Sequence, residues 1–183
     1  TNAGAYSVVV SNSVGTVTST EANLLVNLPP TQATYDLARD YSQRMMRIAR
    51  ADGVALRWSD QANKRYMMLA ASGLPTSMVE DEQCLHAGDC HCGTPLATGL
   101  TVIPIHSLPV HTMKHCAKAG FGTVVNVPIR LQERLLGEVD LFFHAKVSPT
   151  AVERSLLEAL NSHLASAMEN LRFFGQAYGL SRS

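Results

Sequence analysis

The order of elements along this chain predicts an α+β fold, an antiparallel sheet flanked by an N-terminal and a C-terminal helix. A cysteine-rich loop is inserted between the strands, and a short β-hairpin stands at the N-terminus. Three observations carry this reading. Apolar residues recur at helical spacing after Thr31 and again after Thr150, and the segments between them read as strands and turns. All four cysteines fall between Cys84 and Cys116, three of them in one short stretch.

Residues 1–28 are rich in Val, Ser, Thr and Asn and nearly uncharged. Tyr6 to Val10 and Val14 to Val26 read as two strands around a turn at Ser11 to Gly15. The run Asn2-Ala3-Gly4-Ala5-Tyr6-Ser7-Val8 followed by Asn12 and Gly15 resembles the last hairpin of a bacterial immunoglobulin-like domain. In that resemblance Tyr6 takes the tyrosine-corner position and Val8 stands where a cysteine is usual. A two-stranded hairpin is marginal alone, so this piece reads as a truncated neighbour closed by the stiff Leu28-Pro29-Pro30 linker.

From Thr31, Tyr35, Ala38, Tyr41, Met45, Ile48 and Ala49 fit one helix, with Thr31 or Thr34 as N-cap and Asp52-Gly53 as its stop. Gly53 to Trp58 and Tyr66 to Ala71 read as strands joined by the polar loop 59–64. The cysteine loop spans about Leu74 to Gly99, and Glu80-Asp81-Glu82 within it reads as a solvated acidic run. Leu100 to Ile105 is a strand that Pro104 confines to an edge or an end. His111 to Ala119 is a short helix stopped by Gly120. Gly122 to Arg130 and Leu135 to His144 form a closing hairpin.

Ser148-Pro149-Thr150 starts the last helix, with Glu153 placed for a capping box. Val152, Leu156, Leu160, Leu164, Ala167 and Leu171 make an apolar stripe that Leu157 and Met168 widen. The stripe is longer than one domain face needs, which predicts a homodimer through this helix.

Residues Ala51 to Trp58, Gly88-Asp89-Cys90-His91-Cys92-Gly93, His115-Cys116, Val127 to Arg130 and Leu135 to Phe143 resemble the GAF domain of NarX-type nitrate/nitrite-sensor histidine kinases. The resemblance covers about Tyr35 to Leu171. It divides the chain into a partial hairpin (1–28), a linker (29–34), a GAF-like sensor domain with a C-terminal signalling helix (35–174) and a tail (175–183). It implies a cytoplasmic regulatory domain in a membrane-associated kinase, whose full-length relatives carry a histidine-kinase core. No phosphoacceptor box or ATP-binding domain follows Leu171, so kinase activity is not carried over.

The cysteines carry the chemistry. Their spacing is C-x5-C-x-C-x23-C. In extended backbone Cys90 and Cys92 share a face, and Gly88 and Gly93 let the chain turn sharply beside them. Cys84 can fold back, and Cys116 can close a fourth side. Cys84, Cys90, Cys92 and Cys116 are therefore the candidate ligands of an iron–sulfur cluster, with Zn2+ as the alternative. His86, His91 and His115 are the substitutes for a thiolate. The spacing matches neither zinc ribbons nor ferredoxins, so the metal is not readable.

Lys and Arg total 15, as do Asp and Glu, without a block of like charge. No nucleic-acid surface is expected, nor is membrane insertion or a signal peptide. No phosphate loop, nucleophile elbow or zinc-protease motif appears, so no enzyme is expected. The expected function is a sensory domain reading redox state or oxygen through its cysteines and signalling through a helical dimer. A metal-free thiol/disulfide switch and a purely structural dimerisation module, zinc-stapled or unliganded, are the alternatives.

Overall fold

The computed structural model describes residues 4–24, 30–60, 63–86, 88–90, 99–107 and 114–177. Strands β1 (Gly4–Tyr6), β2 (Val9–Ser11), β3 (Thr16–Thr18) and β4 (Ala22–Leu24) form one nested hairpin, β1 on β4 and β2 on β3. The Asn12 side chain closes its turn, Oδ1 accepting from Val14 N at 2.8 Å and Gly15 N at 3.0 Å. The single strand expected from Val14 to Val26 is broken between β3 and β4. There the Ser19 hydroxyl accepts from Val8 N and donates to the Thr20 carbonyl, in competition with regular pairing. Residues 4–22 are exposed throughout.

Helix α1 (Gln32–Ala49) begins at the expected cap, Thr31, whose Oγ1 accepts from Thr34 N. It buries Thr34, Ala38, Ser42 and Met45, one residue per turn, and stops where Arg50 turns left-handed at φ 53°. Strands β5 (Gly53–Asp60) and β6 (Arg65–Ser72) follow. In the stretch read from sequence as loop, the chain forms helix α2 (Thr76–Asp81) and strand β7 (Cys84–His86). The three-residue β7 is too short to give a periodic signal. Strand β8 (Thr101–Pro104) ends in a 3-10 turn (Ile105–Ser107), and helix α3 (Lys114–Lys118) precedes β9 (Thr123–Leu131) and β10 (Arg134–Phe143). The expected start of α3 at His111 lies outside the described residues.

Six strands make one antiparallel sheet in the order β7-β6-β5-β10-β9-β8. Strand alternation splits it into two unlike faces. The first carries Val54, Leu56, Val125, Val127, Ile129, Val139 and Leu141, and it is covered by α1 and by α4 (Ala151–Ala177). The second carries Ala55, Tyr66, Met68, Val124 and Phe142, covered by Met78 of α2, Leu85 of β7, Cys116 of α3 and Phe121.

Helix α4 is capped by a reciprocal pair. Thr150 N donates to the Glu153 carboxylate at 2.8 Å, and Glu153 N donates back to Thr150 Oγ1. This holds the Glu153 carboxyl below its usual range. The buried side of α4 differs from the expected stripe. Leu157, Asn161, Leu164, Ala165 and Met168 face the sheet, whereas Val152 and Leu156 are exposed at 79% and 48%. The inward residue Asn161 is what shifts the stripe. Its Nδ2 donates to the carbonyls of Val127 and Pro128, and its Oδ1 accepts from Tyr41 of α1 at 2.8 Å. Strand β8 pairs with β9 only as far as Asn126, so α4 supplies donors that a longer β8 would have supplied. None of the described helices is long and apolar enough to cross a membrane.

Candidate functional site

At the centre of the second face the alternation that buries apolar side chains on β5, β9 and β10 buries charged ones instead. Arg57, Glu138 and Asp140 are fully buried, Glu82 is 2% exposed and Asn126 is 3% exposed. Arg57 lies directly across the strand pair from Glu138. Its Nη1 donates to Asp140, and its Nη2 donates to Glu82 at 2.6 Å. Asn126 Nδ2 is shared between Asp140 Oδ1 at 2.8 Å and Glu138 Oε2 at 3.0 Å. The Glu138 and Asp140 carboxyl groups are thus bridged by the Asn126 amide. Burial pushes both Asp140 and Glu82 above the usual carboxylate range, against the pull of the Arg57 guanidinium. Burial likewise raises the phenol of Tyr66, on the same face. The Nε of Arg130, also on this side of β9, is buried and has no hydrogen-bond partner among the described residues.

The close approach of β10 to β5 lets these groups meet. A Cβ at Gly137 would collide with the Arg57 carbonyl oxygen, and the register of β10 against β9 shifts beside it. Glu82 corrects the reading of 80–82 as a solvated acidic run. Glu80 and Asp81 are exposed, but Glu82 ends α2, and its side chain turns under the helix to reach Arg57. No period-based signal could have singled it out, because its partner lies 25 residues earlier in the chain.

The cysteines border this face unequally. Cys116 is fully buried in the second apolar cluster, and half-buried Cys90 packs against that cluster. Cys84 opens β7 opposite Met67, and Leu85, paired with Tyr66, points into the cluster. Alternation therefore turns Cys84 and His86 to the other side of β7. Cys84 and Cys116 are free thiols. Cys92 and His91 lie outside the described residues. Gly88 makes the expected sharp turn at φ 99°, and Asp89 Oδ2 closes it by accepting from His86 N at 3.0 Å. His86 Nδ1 sits 3.4 Å from the same carboxylate, and His115 Nδ1 sits 3.4 Å from Asp81, tying α3 to α2. Among the described residues no three His, Cys, Asp or Glu side chains converge as a metal site.

No protein-family model and no curated protein matches the chain. Solved structures do. The GAF domain of an Acinetobacter phosphoenolpyruvate-protein phosphotransferase matches with TM-score 0.65 and 14% identity, over 78% of this chain and 86% of that one. A domain of a putative two-component sensor histidine kinase from Sinorhizobium meliloti 1021 gives TM-score 0.64 and 11% identity, over 78% and 94%. A type II free methionine-R-sulfoxide reductase from Thermoplasma acidophilum gives 0.61 and 17%, over 75% and 96%. The fold is GAF-like, as the resemblance implied. These neighbours include domains of signalling proteins and one enzyme, so the fold alone does not decide between sensing and catalysis.

Proposed function

We propose that this chain is the non-catalytic sensory domain of a cytoplasmic two-component signalling protein of the nitrate/nitrite-sensor type. It reads redox state or oxygen through its cysteine loop. The observation that carries this is the convergence of the loop on the second face. Cys90 and Cys116 pack on one buried cluster, and Glu82, two residues before Cys84, anchors the loop to the Arg57 network. A change in the loop that moves Glu82 would move Arg57 and hence β5 and β10, whose opposite face carries α1, which packs in turn against α4.

In this proposal Cys84, Cys90, Cys92 and Cys116 hold an iron–sulfur cluster, or Zn2+ in its place, with His86, His91 or His115 as substitute ligands. A cluster supplies a one-electron centre. Cys90 and Cys116 lie on the same apolar cluster, and Cys84 would have to swing around the edge of β7 to join them. That favours a second reading, a thiol switch. Cys90 and Cys116 would form a disulfide, passing two electrons and two protons to an external disulfide.

Anaerobic purification with an absorption spectrum and analysis for iron, sulfide and zinc tests both. A brown, air-bleached protein with iron and sulfide supports the cluster. Zinc in a colourless protein makes the loop a structural staple. A metal-free protein losing two thiols on oxidation, and not in Cys116→Ser, supports the switch. A metal-free protein that loses none refutes a redox input.

The output in this proposal is a homodimer through α4. Its exposed positions Val152, Leu156, Ala159, His163, Ser166, Asn170 and Phe173 alternate at four- and three-residue spacing, as on a coiled-coil seam. Leu156→Glu should shift sedimentation toward the monomer. Residues 1–28 are read as the last hairpin of an immunoglobulin-like neighbour. Its exposed Val8, Val10 and Val17 suit packing on another β-sheet.

A further inference from the structure

At the end of the sheet where β10 runs toward α4, a cleft of about 310 Å3 is lined by Pro104, His106, Ser107, Gly122, His144 and Lys146. Two imidazoles and an ammonium from two separate segments line it, and none of these lining residues is acidic. The walls are built on rigid supports. Ile105, 3% exposed, fixes the 3-10 turn that presents His106, and its N–H donates to the Gly122 carbonyl at 3.0 Å. The His144 ring stacks on buried Phe121 with centroids 4.7 Å apart, and Phe121 packs in turn on Phe142.

His144 Nδ1 lies 3.0 Å from the Gly120 carbonyl, which as an acceptor fixes Nδ1 as the donor and leaves Nε2 for the cleft. The His144 backbone N–H is held by Asp52 at 2.7 Å. Gly122 offers the cleft no spare backbone group, because its N–H donates to Phe143 and its carbonyl accepts from Ile105. Ser107 Oγ donates to the Pro104 carbonyl. The groups left for a guest are thus the Lys146 ammonium, the His106 ring and His144 Nε2, which donates to a guest when the His144 ring is an imidazolium with Nδ1–H kept on the Gly120 carbonyl.

We propose that this cleft binds a small oxoanion, free or as the phosphate or carboxylate head of a small organic molecule, with Lys146, His106 and His144 as its contacts. The site also has a route to the output. His144 and Lys146 lie in the short connection between β10 and the Thr150 cap of α4, whereas His106 belongs to the turn after β8. A bound oxoanion would therefore tie the entry of α4 to the sheet edge.

The test is a titration of the whole chain with inorganic phosphate, followed by backbone and histidine-ring NMR, against chloride at matched ionic strength. Saturable shifts at His106, Ser107, Gly122 and His144 are expected. Lys146→Glu should weaken binding roughly tenfold or more, because it puts like charges face to face, and His106→Ala should weaken it independently. Lys64→Glu, in the turn at the opposite end of the sheet, should leave it unchanged. Tighter binding of phenyl phosphate than of phosphate would mark an organic headgroup as the source, and the reverse a free ion. Non-saturable shifts, the same shifts with chloride, or equal loss in Lys64→Glu would overturn the site.

Discussion

The two faces of the sheet are made by the same three central strands and solve opposite problems. On the first, Leu56, Val127, Val139 and Leu141 meet α1 and α4 through side chains that carry no hydrogen-bonding groups. Stability there scales with apolar area removed from water, and Asn161 with Tyr41 is its interhelical polar interruption. On the second, alternate residues of the same strands bury Arg57, Glu138, Asp140 and Asn126. Those groups are tolerable only because each finds a partner. The first face depends on filled apolar volume and merely stabilises. The second is intolerant of any single loss, and a face of that kind can transmit a change made at one of its edges.

The comparison can be broken most sharply at Arg57. Arg57→Ala should cost about 3–5 kcal/mol in denaturant unfolding, because it leaves buried carboxyl groups without their cation. Replacing Arg57, Glu82 and Asp140 together by Met, Leu and Leu should cost much less than the single change, since the desolvation penalty then disappears with the pair. A triple variant weaker than Arg57→Ala would sink the view that charge pairing, rather than shape, governs this face. On the first face Leu141→Ala should cost about 2–5 kcal/mol by cavity formation alone, with no dependence on pH between neutrality and the carboxylate range.

That pH dependence sharpens the contrast. Glu82 and Asp140 have folded-state carboxyls raised by burial, so the folded protein binds protons that the unfolded chain has released. Their contribution is fully present below the ordinary carboxylate range and is lost as pH rises through their raised values. Mild acidification from neutrality should therefore increase stability, and Glu82→Gln should flatten the rise. Glu169 works in the other sense. It is held below its usual range chiefly by Arg172, with Arg134 also bonded to it. Its contribution fades only at lower pH, and partial exposure keeps it small. The smallest effect expected is at the α1 cap, where Thr31→Ala should cost about 1 kcal/mol in the same unfolding assay.

Much of the scaffold was legible because it is written locally. The Thr31 cap, the Thr150–Glu153 pair, the edge placement of Pro104 and the alternation of β9 and β10 each depend on residues within a few positions of one another. The α4 stripe was half legible. Periodicity marked Leu164, Leu157 and Met168, but the choice of Asn161 over Leu156 as an inward residue depended on where β8 ends. Of the cysteine loop, the sequence marked the clustered thiols and the Gly88 turn. It could not show that Leu85, rather than Cys84, points into the cluster, because a three-residue strand has no readable phase.

The sequence by itself determined the two long helices and the main strands in their order, though not α2, β7 or the break between β3 and β4. It also determined the helix caps and the gathering of thiols in one loop, since each follows from torsional preference or from spacing along the chain. Only the tertiary structure decided that Arg57 meets Asp140 across 83 residues, that Glu82 leaves its acidic neighbours for the interior, and that His106 faces His144 across a cleft. Those meetings are set by sheet order and strand register. Register is a property of the pairing between distant segments, and it leaves no trace in either segment alone.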